Sequence, residues 1–373
     1  MTTPSLRRFL SSASLSFALL VASTALAKTV QVGTCLPSLQ TYATISLAVA
    51  AVQPSSTIMV CPGNYPEQVT ITQPLTLKGV QLGNRANPTV VAPPGGLTQS
   101  VIAPTNGISM FFQILVQGTG AGLVDISDIG VNGSNNNVSS GWMQGIYFQN
   151  SSGTLKNVAT YNQTGNGYGF GIFLESTTTT QKTISISDSS VHDFDAEGIR
   201  SNANTNPPTL TVNIESNAVL VTPAANLQVD AINIDGVGVI RNNSIATKPG
   251  GSGNAGIGIA ALSGLTIAQN TIAGMGIGIW TLGNSDNLFS NKVSYAEQAI
   301  LISGTANDVE HNLLLGANPN SGAGIGFNCT GTGNTVIHNV VNDAFWGLFD
   351  TQSGNTTSPN TFTNVANISS GSC

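Results

Sequence analysis

Apolar and polar positions recur in one fixed frame along most of the chain. In each copy an Asn has an apolar residue three positions before it and Ile, Val or Leu two positions after it. The copies centre on Asn217, Asn243, Asn270, Asn291, Asn312 and Asn339, with looser copies at Asn157, Ser189 and Asn364. Successive centres lie 21 to 32 residues apart. So short a unit cannot bury its own apolar face, and the period therefore predicts a solenoid of stacked coils.

A second strand pattern, a Gly or Ala followed by an apolar residue, comes after each Asn frame. We expect these apolar residues to pile on one another from coil to coil, about 4.8 Å apart. They are Ile146, Ile172, Ile199, Ile232, Ile257, Ile277, Ile300, Ile325 and Leu348. The inward Asn side chains would hydrogen-bond to one another and to the bent backbone. The chain is thus predicted to be all-β, a single-domain parallel solenoid.

The segment before these coils predicts a cap and the first strands. Apolar residues at helical spacing indicate a short amphipathic helix within residues 41–53. Such a helix would cover the open end of the solenoid. Residues 57–79 alternate as strands do, with a turn at Pro62-Gly63.

The first 27 residues are typical of a secretory signal peptide, with a basic start, an apolar stretch and small residues at the end. The alternative is a short N-terminal anchor. The domain would span 28–373, and the loss of Arg7 and Arg8 would move the net charge from −6 to −8. This acidic balance disfavours nucleic-acid binding, and no other segment has the roughly 18 uninterrupted apolar residues of a membrane span. We expect a secreted monomer, in the extracellular space, the periplasm or at the cell surface.

The four cysteines lie in two pairs near the ends of the chain. An even count in an exported protein favours disulfides. Three pairings are possible. We favour Cys35–Cys61 and Cys329–Cys373, because each would staple one end of the solenoid.

The Asn frames and Gly-Ile units resemble the coils of right-handed parallel β-helix proteins of the pectin lyase-like superfamily. The segment Ile58–Glu67, with Leu75–Gly79, is similar to the start of many such proteins, including pectin methylesterases. The resemblance covers roughly residues 40–365 and implies a fold rather than a reaction. The chain lacks the Gly-His-Gly and Asn-Thr-Asp motifs of polygalacturonases. It also lacks the Gln-Asp-Thr-Leu and Gly-Arg-Pro-Trp motifs of methylesterases. Those two activities are therefore disfavoured.

Charged and aromatic residues gather on the outward columns of the coils between residues 170 and 235. The candidate catalytic residues are Asp195, Glu197, Arg200, Asp230 and Asp235. The candidate substrate-binding residues are Tyr147, Phe173, Glu175 and Trp280. Rings can stack on sugar faces, and carboxylates can accept hydrogen bonds from sugar hydroxyls. The alternative for the rings is ordinary surface packing.

The densest cluster is the run from His192 to Arg200, and it allows several interpretations. Its alternating carboxylates could bind Ca²⁺ through oxygen ligands; they are Asp193, Asp195 and Glu197. Two carboxylates could instead act as acid and base in glycoside hydrolysis. Resemblance to the lyases of the superfamily would give Arg200 a role in proton abstraction. The alternative is an acidic turn in which Arg200 is salt-bridged to Glu197 or Asp230.

His311 and His338 occupy the same position of the frame, directly before its Asn. They suggest either a metal site or a solvent-facing ladder. The sequence as a whole predicts an exported protein that binds or acts on extracellular polysaccharide, in a lyase-like or hydrolase-like way. The alternative is a non-catalytic surface or glycan-binding β-helix. A neutral glycan is the simpler partner, because so acidic a chain repels polyanions.

Overall fold

The apolar repeats fold into coils of three short strands each, and the coils stack in parallel. The structure is a computed structural model. It describes residues 26–83, 87–120, 122–165, 167–203, 208–222, 229–248, 256–262, 264–318, 320–328, 331–349 and 353–369. Within these ranges the chain is all-β apart from one short helix. The predicted fold class is thereby confirmed.

The elements before the regular coils are β1 (Thr29–Val32), β2 (Gln40–Tyr42), α1 (Ile45–Ala51), β3 (Ser56–Val60), β4 (Asn64–Pro66), β5 (Val69–Ile71), β6 (Leu75–Gly79), β7 (Thr89–Val91), β8 (Ser100–Ile102) and β9 (Ser109–Gln117). The strands of the coils are β10 (Leu123–Ser127), β11 (Gly130–Asn132), β12 (Trp142–Gln149), β13 (Ser152–Lys156), β14 (Ala159–Gln163), β15 (Gly169–Ser176), β16 (Lys182–Ser187), β17 (Ser190–Phe194), β18 (Glu197–Ala203), β19 (Leu210–Glu215), β20 (Ala218–Val221), β21 (Asp230–Ile234), β22 (Val237–Arg241), β23 (Ser244–Thr247), β24 (Ile257–Ala261), β25 (Leu265–Ala268), β26 (Thr271–Ala273), β27 (Ile277–Thr281), β28 (Asn287–Phe289), β29 (Lys292–Ser294), β30 (Gln298–Ile302), β31 (Asp308–Glu310), β32 (Leu313–Leu315), β33 (Ala323–Phe327), β34 (Thr335–Ile337), β35 (Val340–Phe349) and β36 (Thr361–Ser369).

The strands form two long sheets. Among the described residues one sheet holds 13 strands and the other holds 23. A typical coil gives one strand to the first sheet and two to the second, as β13, β14 and β15 do. Within the described strands the one antiparallel pairing joins β8 and β9. The core between the sheets is a continuous stack of Ile, Leu and Val side chains.

The Asn residues form a ladder at one corner of the coils. The backbone N–H of Asn217 donates to Oδ1 of Asn243 at 2.9 Å, and its side-chain amide donates to the same oxygen at 3.0 Å and to the carbonyl of Ile186 at 3.0 Å. The same pattern repeats at Asn243, Asn270, Asn291, Asn312 and Asn339. The predicted inward ladder is confirmed. The frame itself, however, spans two strands and the corner between them, where one strand was expected.

The stacked column of Ile follows the prediction with two corrections. Ile232 pairs with Ile259, which pairs with Ile279, so Ile257 and Ile277 are not in the column. Each of these coils contains two Gly-Ile units, and periodicity alone fits either one. The strand register places the Ile of the second unit in the column, and the glycine of that unit occupies the crowded inner position. A Cβ on Gly258 would lie 2.5 Å from the Gly278 carbonyl oxygen.

The residues that flank each pair of a small residue and a stacked Ile face outward on both sides of the pair. Strict alternation would place residues three apart on opposite faces of a strand. Glu197 and Arg200, on either side of Gly198-Ile199, nevertheless form an ion pair. A Cβ on Gly198 would lie 2.6 Å from a carbonyl oxygen of the next coil. The bend at this glycine therefore creates the outer face on which the charged residues meet.

The N-terminal end is capped as expected. Helix α1 buries Ile45, Ala48 and Val49 against the first strands. The Glu67 carboxylate accepts the backbone N–H groups of Ile45 and Ser46, each at 2.8 Å. Because it satisfies otherwise unpaired donors at a helix N-terminus, the acidic residue of the superfamily-like segment has a structural role here.

The Cys35–Cys61 disulfide is present, as predicted. Cys329 and Cys373 lie outside the described residues, and so do residues 1–25 of the predicted signal peptide. The pairing of those cysteines, the signal peptide and the single domain of 28–373 stay predictions. No helix in the described part of the chain is long and apolar enough to cross a membrane.

Candidate functional site

Glu197, Arg200 and Asp230 meet on the outer face of neighbouring coils. Glu197 in β18 pairs in register with Asp230 in β21, so the two backbones are about 4.8 Å apart. Nη1 of Arg200 donates to Oε1 of Glu197. Oδ1 of Asp230 accepts the backbone N–H of Ile257 at 2.8 Å. Two buried carboxylates and one guanidinium thus lie on one face, and the ion pair of Arg200 with Glu197 is the one named in the alternative interpretation of the sequence, an acidic turn.

Burial raises the pKa of Glu197 to about 7, and the negative charge of Asp230 adds to the rise. Arg200 and Asn233 act in the opposite direction. Among the described residues, Oε2 of Glu197 is buried without a hydrogen bond of ordinary geometry. The Glu197 carboxyl therefore keeps its proton to a higher pH than an exposed Glu does.

Polar residues of the next column complete the cluster. The Asn202 side-chain oxygen accepts from Nε and Nη2 of Arg200, both at 3.3 Å. Asp235, one coil further, accepts the backbone N–H of Ala203 at 3.1 Å. Burial raises the pKa of Asp235, while that N–H and the charge of Arg200 lower it. Asp235 thus lies within the electrostatic reach of Arg200.

An aromatic wall stands beside this cluster, and its residues were not predicted from the sequence. The Arg200 guanidinium carbon lies 5.6 Å from the ring centroid of Trp142. The Trp142 ring is nearly parallel to that of Tyr168, at 6.1 Å between centroids. Tyr168 is 51% exposed. The available signal was that both residues stand four positions before a stacked Ile, a column that reads Trp142, Tyr168 and Asp195.

Three of the predicted substrate-binding residues are covered, which corrects their assignment to the surface. Tyr147, Phe173 and Glu175 do face away from the core, but residues 100–108 lie across them. Tyr147 and Phe173 are fully buried in a second apolar cluster that includes Ala103. The Glu175 carboxylate accepts the Tyr147 hydroxyl and the Thr105 backbone N–H. Glu175 therefore fastens the covering segment, here defined as residues 100–108, to the coil.

Asp195, predicted as catalytic and as a calcium ligand, instead binds the backbone of a neighbouring loop. Its carboxylate accepts the backbone N–H groups of Gly165 at 2.7 Å, Gly167 at 3.2 Å and also Gly169. Both oxygens are used, so Asp195 holds the loop that precedes β15 rather than joining Glu197. This loop also carries Tyr168, which makes Asp195 a support of the aromatic wall.

Asp193 points to yet another set of partners. It contacts His192 Nδ1 at 2.8 Å and Lys248 Nζ at 3.0 Å, and it accepts the Thr222 hydroxyl at 3.3 Å. The predicted calcium trio of Asp193, Asp195 and Glu197 is therefore not assembled, and this interpretation was wrong. No group of three or more His, Cys, Asp or Glu within the described ranges has the arrangement of a metal site.

Trp280 lies on the same outer face as Arg200, but in a different column from the predicted one. Because Ile279 is the stacked residue of its coil, Trp280 follows it in the column of Arg200, three strands away. Its indole N–H donates to Ser303 Oγ at 2.7 Å. His311 and His338 stack at 5.0 Å between ring centroids, the arrangement expected of a solvent-facing ladder.

No model of a protein family matches the chain, and no curated protein matches its sequence. Among solved structures it is similar to a GH136 lacto-N-biosidase from Eubacterium ramulus, with a TM-score of 0.65 and 12% identity over 90% of this chain and 68% of the other. It is also similar to DFA-IIIase from Arthrobacter chlorophenolicus A6 in complex with GF2, with a TM-score of 0.57 and 14% identity over 90% and 93% of the two chains. The protein is a right-handed parallel β-helix. At these identities the likeness establishes the fold of the β-helix and leaves its chemistry to the residues of this chain.

Proposed function

We propose that the β-helix is an exported enzyme that hydrolyses a glycosidic bond of a neutral polysaccharide. The observation that carries the proposal is the in-register pair of Glu197 and Asp230, in which the pKa of Glu197 is raised to about 7. Glycoside hydrolysis needs one carboxyl group that keeps its proton near neutral pH and a second that is ionised.

Each residue of the cluster has a role in this proposal. Glu197 donates its proton to the oxygen of the leaving sugar. Asp230, oriented by the Ile257 N–H, acts as the base that activates water or as the nucleophile. Arg200 holds Glu197 in place and, with Asn202 and Asp235, offers hydrogen bonds to sugar hydroxyls. Water supplies the hydroxyl and the proton that end up on the two products.

Elimination by a lyase mechanism has less support. It would use Arg200 to remove a proton from the sugar ring. The guanidinium instead donates to Glu197 and Asn202 and lies over Trp142. A group engaged in this way is better suited to positioning than to accepting a proton.

Other features support the setting of the proposal. The two solved structures described above are a lacto-N-biosidase and DFA-IIIase, both carbohydrate-active enzymes by name. The Cys35–Cys61 disulfide fits an oxidising compartment outside the cytoplasm. The exposed Tyr168 and the adjacent Trp142 suit the apolar face of a sugar. This aromatic wall also favours the second candidate function, glycan binding without catalysis.

A product screen tests both candidates. Neutral glucans, mannans, xylans and fructans are incubated with the protein, and new reducing ends and unsaturated ends are measured. We expect reducing ends from at least one polymer, and their loss in Glu197→Gln and Asp230→Asn. The matched control is Asp308→Asn, an exposed carboxylate on another face. Binding without product would favour the second candidate, while equal product from Glu197→Gln would show that the cluster is not the active site.

A further inference from the structure

Beyond the acidic cluster two outward columns of the coils of β24, β27, β30, β33 and β35 carry no charged residue, and the exposed Glu297 lies just outside them, next to Gln298. The column that follows the stacked Ile reads Ala260, Trp280, Leu301, Gly326 and Phe349. The column two positions before it reads Ile257, Ile277, Gln298, Ala323 and Trp346. None of these ten residues is charged, whereas the two preceding coils carry Glu197, Arg200 and Asp230 in the same columns. We call these ten residues the aromatic strip. Ile257, Ala260, Ala323 and Gly326 are buried, so the solvent-facing part of the strip is formed by the other six.

The rings of the strip are regularly placed along the axis of the solenoid. Trp280 and Phe349 share one column, three strands apart, which is about 14 Å at the spacing of parallel strands. Arg200 precedes Trp280 in that column by the same three strands. The Phe349 ring is 5.8 Å from that of Trp346. All three aromatic residues are half-buried.

Polar, uncharged groups accompany the rings. Ser303 accepts the indole N–H of Trp280, and the side chains of Gln298 and Leu301 both lie beside Gly326 at the centre of the strip. Apolar platforms beside amide and hydroxyl groups match the two sides of a sugar, which has an apolar ring face and polar edges. The absence of charge favours a neutral chain, because an ionic polymer would gain no partner here.

We propose that the aromatic strip binds the part of a neutral polysaccharide that extends from the acidic cluster towards the C-terminal coils. The identity of the ligand rests on the proposed function. A sugar unit in an extended chain is about as long as one coil is high, so a chain laid along the axis meets roughly one sugar per coil. Trp280 then stacks on one sugar and the Trp346–Phe349 pair on another, each at a fixed distance from Glu197.

The experiment measures affinity and KM as functions of chain length. Retardation in gels that contain a soluble neutral polysaccharide gives the affinity for long chains, and oligosaccharides of increasing length give the dependence. We expect Trp280→Ala and Phe349→Ala each to weaken binding of long chains by roughly threefold to tenfold. The loss should grow with chain length. Trp280→Tyr should restore most of it, which separates a lost platform from a lost fold. The matched control is Tyr295→Ala, since Tyr295 is 77% exposed outside the strip.

The outcomes separate this inference from the proposed function. If the wild type neither binds nor cleaves any polymer of the panel, both fail. If it cleaves polymers and the loss in Glu197→Gln is seen, but Trp280→Ala and Phe349→Ala bind long chains as the wild type does, only the strip is refuted. Sedimentation of the wild type and of Trp280→Ala completes the test. A dimer that dissociates in Trp280→Ala with unchanged glycan affinity would show that the strip binds a second copy of the chain instead.

Discussion

Asp286 occupies a position that Asn occupies in the following coils, while the preceding coil has Leu265 there. A second ladder runs along another corner, where the backbone N–H of Asp286 donates to Oδ1 of Asn307 and that of Asn307 to Oδ1 of Asn334. The side-chain amides of Asn307 and Asn334 also donate to carbonyls of the preceding coils, at 3.3 and 3.1 Å. Asp286 accepts the Leu265 N–H through Oδ1. Its Oδ2, in the place of the amide, is buried without a partner among the described residues.

The cost of this carboxylate can be worked out from its pKa. Burial raises the pKa of Asp286 from 3.8 to about 6, against the opposing effect of the Leu265 N–H. At 1.36 kcal/mol per pKa unit this difference is worth about 3 kcal/mol. Because the folded protein holds the proton of Asp286 more tightly than the unfolded chain, the contribution of this group to stability is fully present below about pH 4 and is lost as the pH rises through about 6. Above that pH the ionised, buried Asp286 destabilises the fold.

We therefore expect Asp286→Asn to raise the free energy of unfolding by about 3 kcal/mol at pH 8 and by much less at pH 4. The amide completes the ladder and removes the buried charge. Urea unfolding of the two proteins at both pH values measures the difference. Asp308→Asn, which removes an exposed carboxylate from the next coil, is the control and should change little. A variant no more stable than the wild type at pH 8 would refute the reasoning, and an equal gain at both pH values would exclude the proton as its source.

Three further changes have definite expected outcomes. Because Glu197 must carry its proton to act as the acid, hydrolysis should fall as the pH rises above about 7, and a pH profile of kcat/KM that stays flat to pH 9 would contradict this role. Trp142→Ala should weaken glycan binding by roughly threefold to tenfold, measured by titration with the oligosaccharide that the wild type cleaves. Reduction of the Cys35–Cys61 disulfide, which closes a separation of 26 residues, should lower the free energy of unfolding by about 2–4 kcal/mol. Thermal unfolding with and without reductant measures this effect, and the Tm should be lower with reductant.

The architecture was accessible from the sequence because it repeats. A buried Asn or Ile that recurs once per coil can satisfy its hydrogen bonds or its packing only by stacking on its equivalents, as Asn291 does on Asn312. The exception is instructive. Ile257 and Ile259 fit the repeat equally well, and the crowded inner position of Gly258 decides between them. That contact lies between coils and is invisible to a count of residues.

The candidate site was accessible only in part, because its surroundings do not repeat. Glu197 and Asp230 were found because each stands at the same offset from a stacked Ile. The burial of Tyr147 depends on residues 100–108, which pass over it from an earlier part of the chain. Trp142 reaches Arg200 by packing over Phe170 and Phe173. Such contacts follow from the paths of non-repeating segments and the directions of single side chains, which the period does not encode.

The two acids with strongly raised pKa values show why a perturbed pKa does not identify a site by itself. Burial is the main cause for both Glu197 and Asp286. Asp286 faces a ladder of backbone and amide groups inside the coil corner, with no charged residue among the causes of its shift. Glu197 faces outward, beside a second carboxylate and the guanidinium of Arg200. A buried acid held next to like and opposite charges costs stability that simple packing would not require. That arrangement, rather than the pKa alone, is the reason we propose the coils of Glu197 and Asp230 as the place for chemistry.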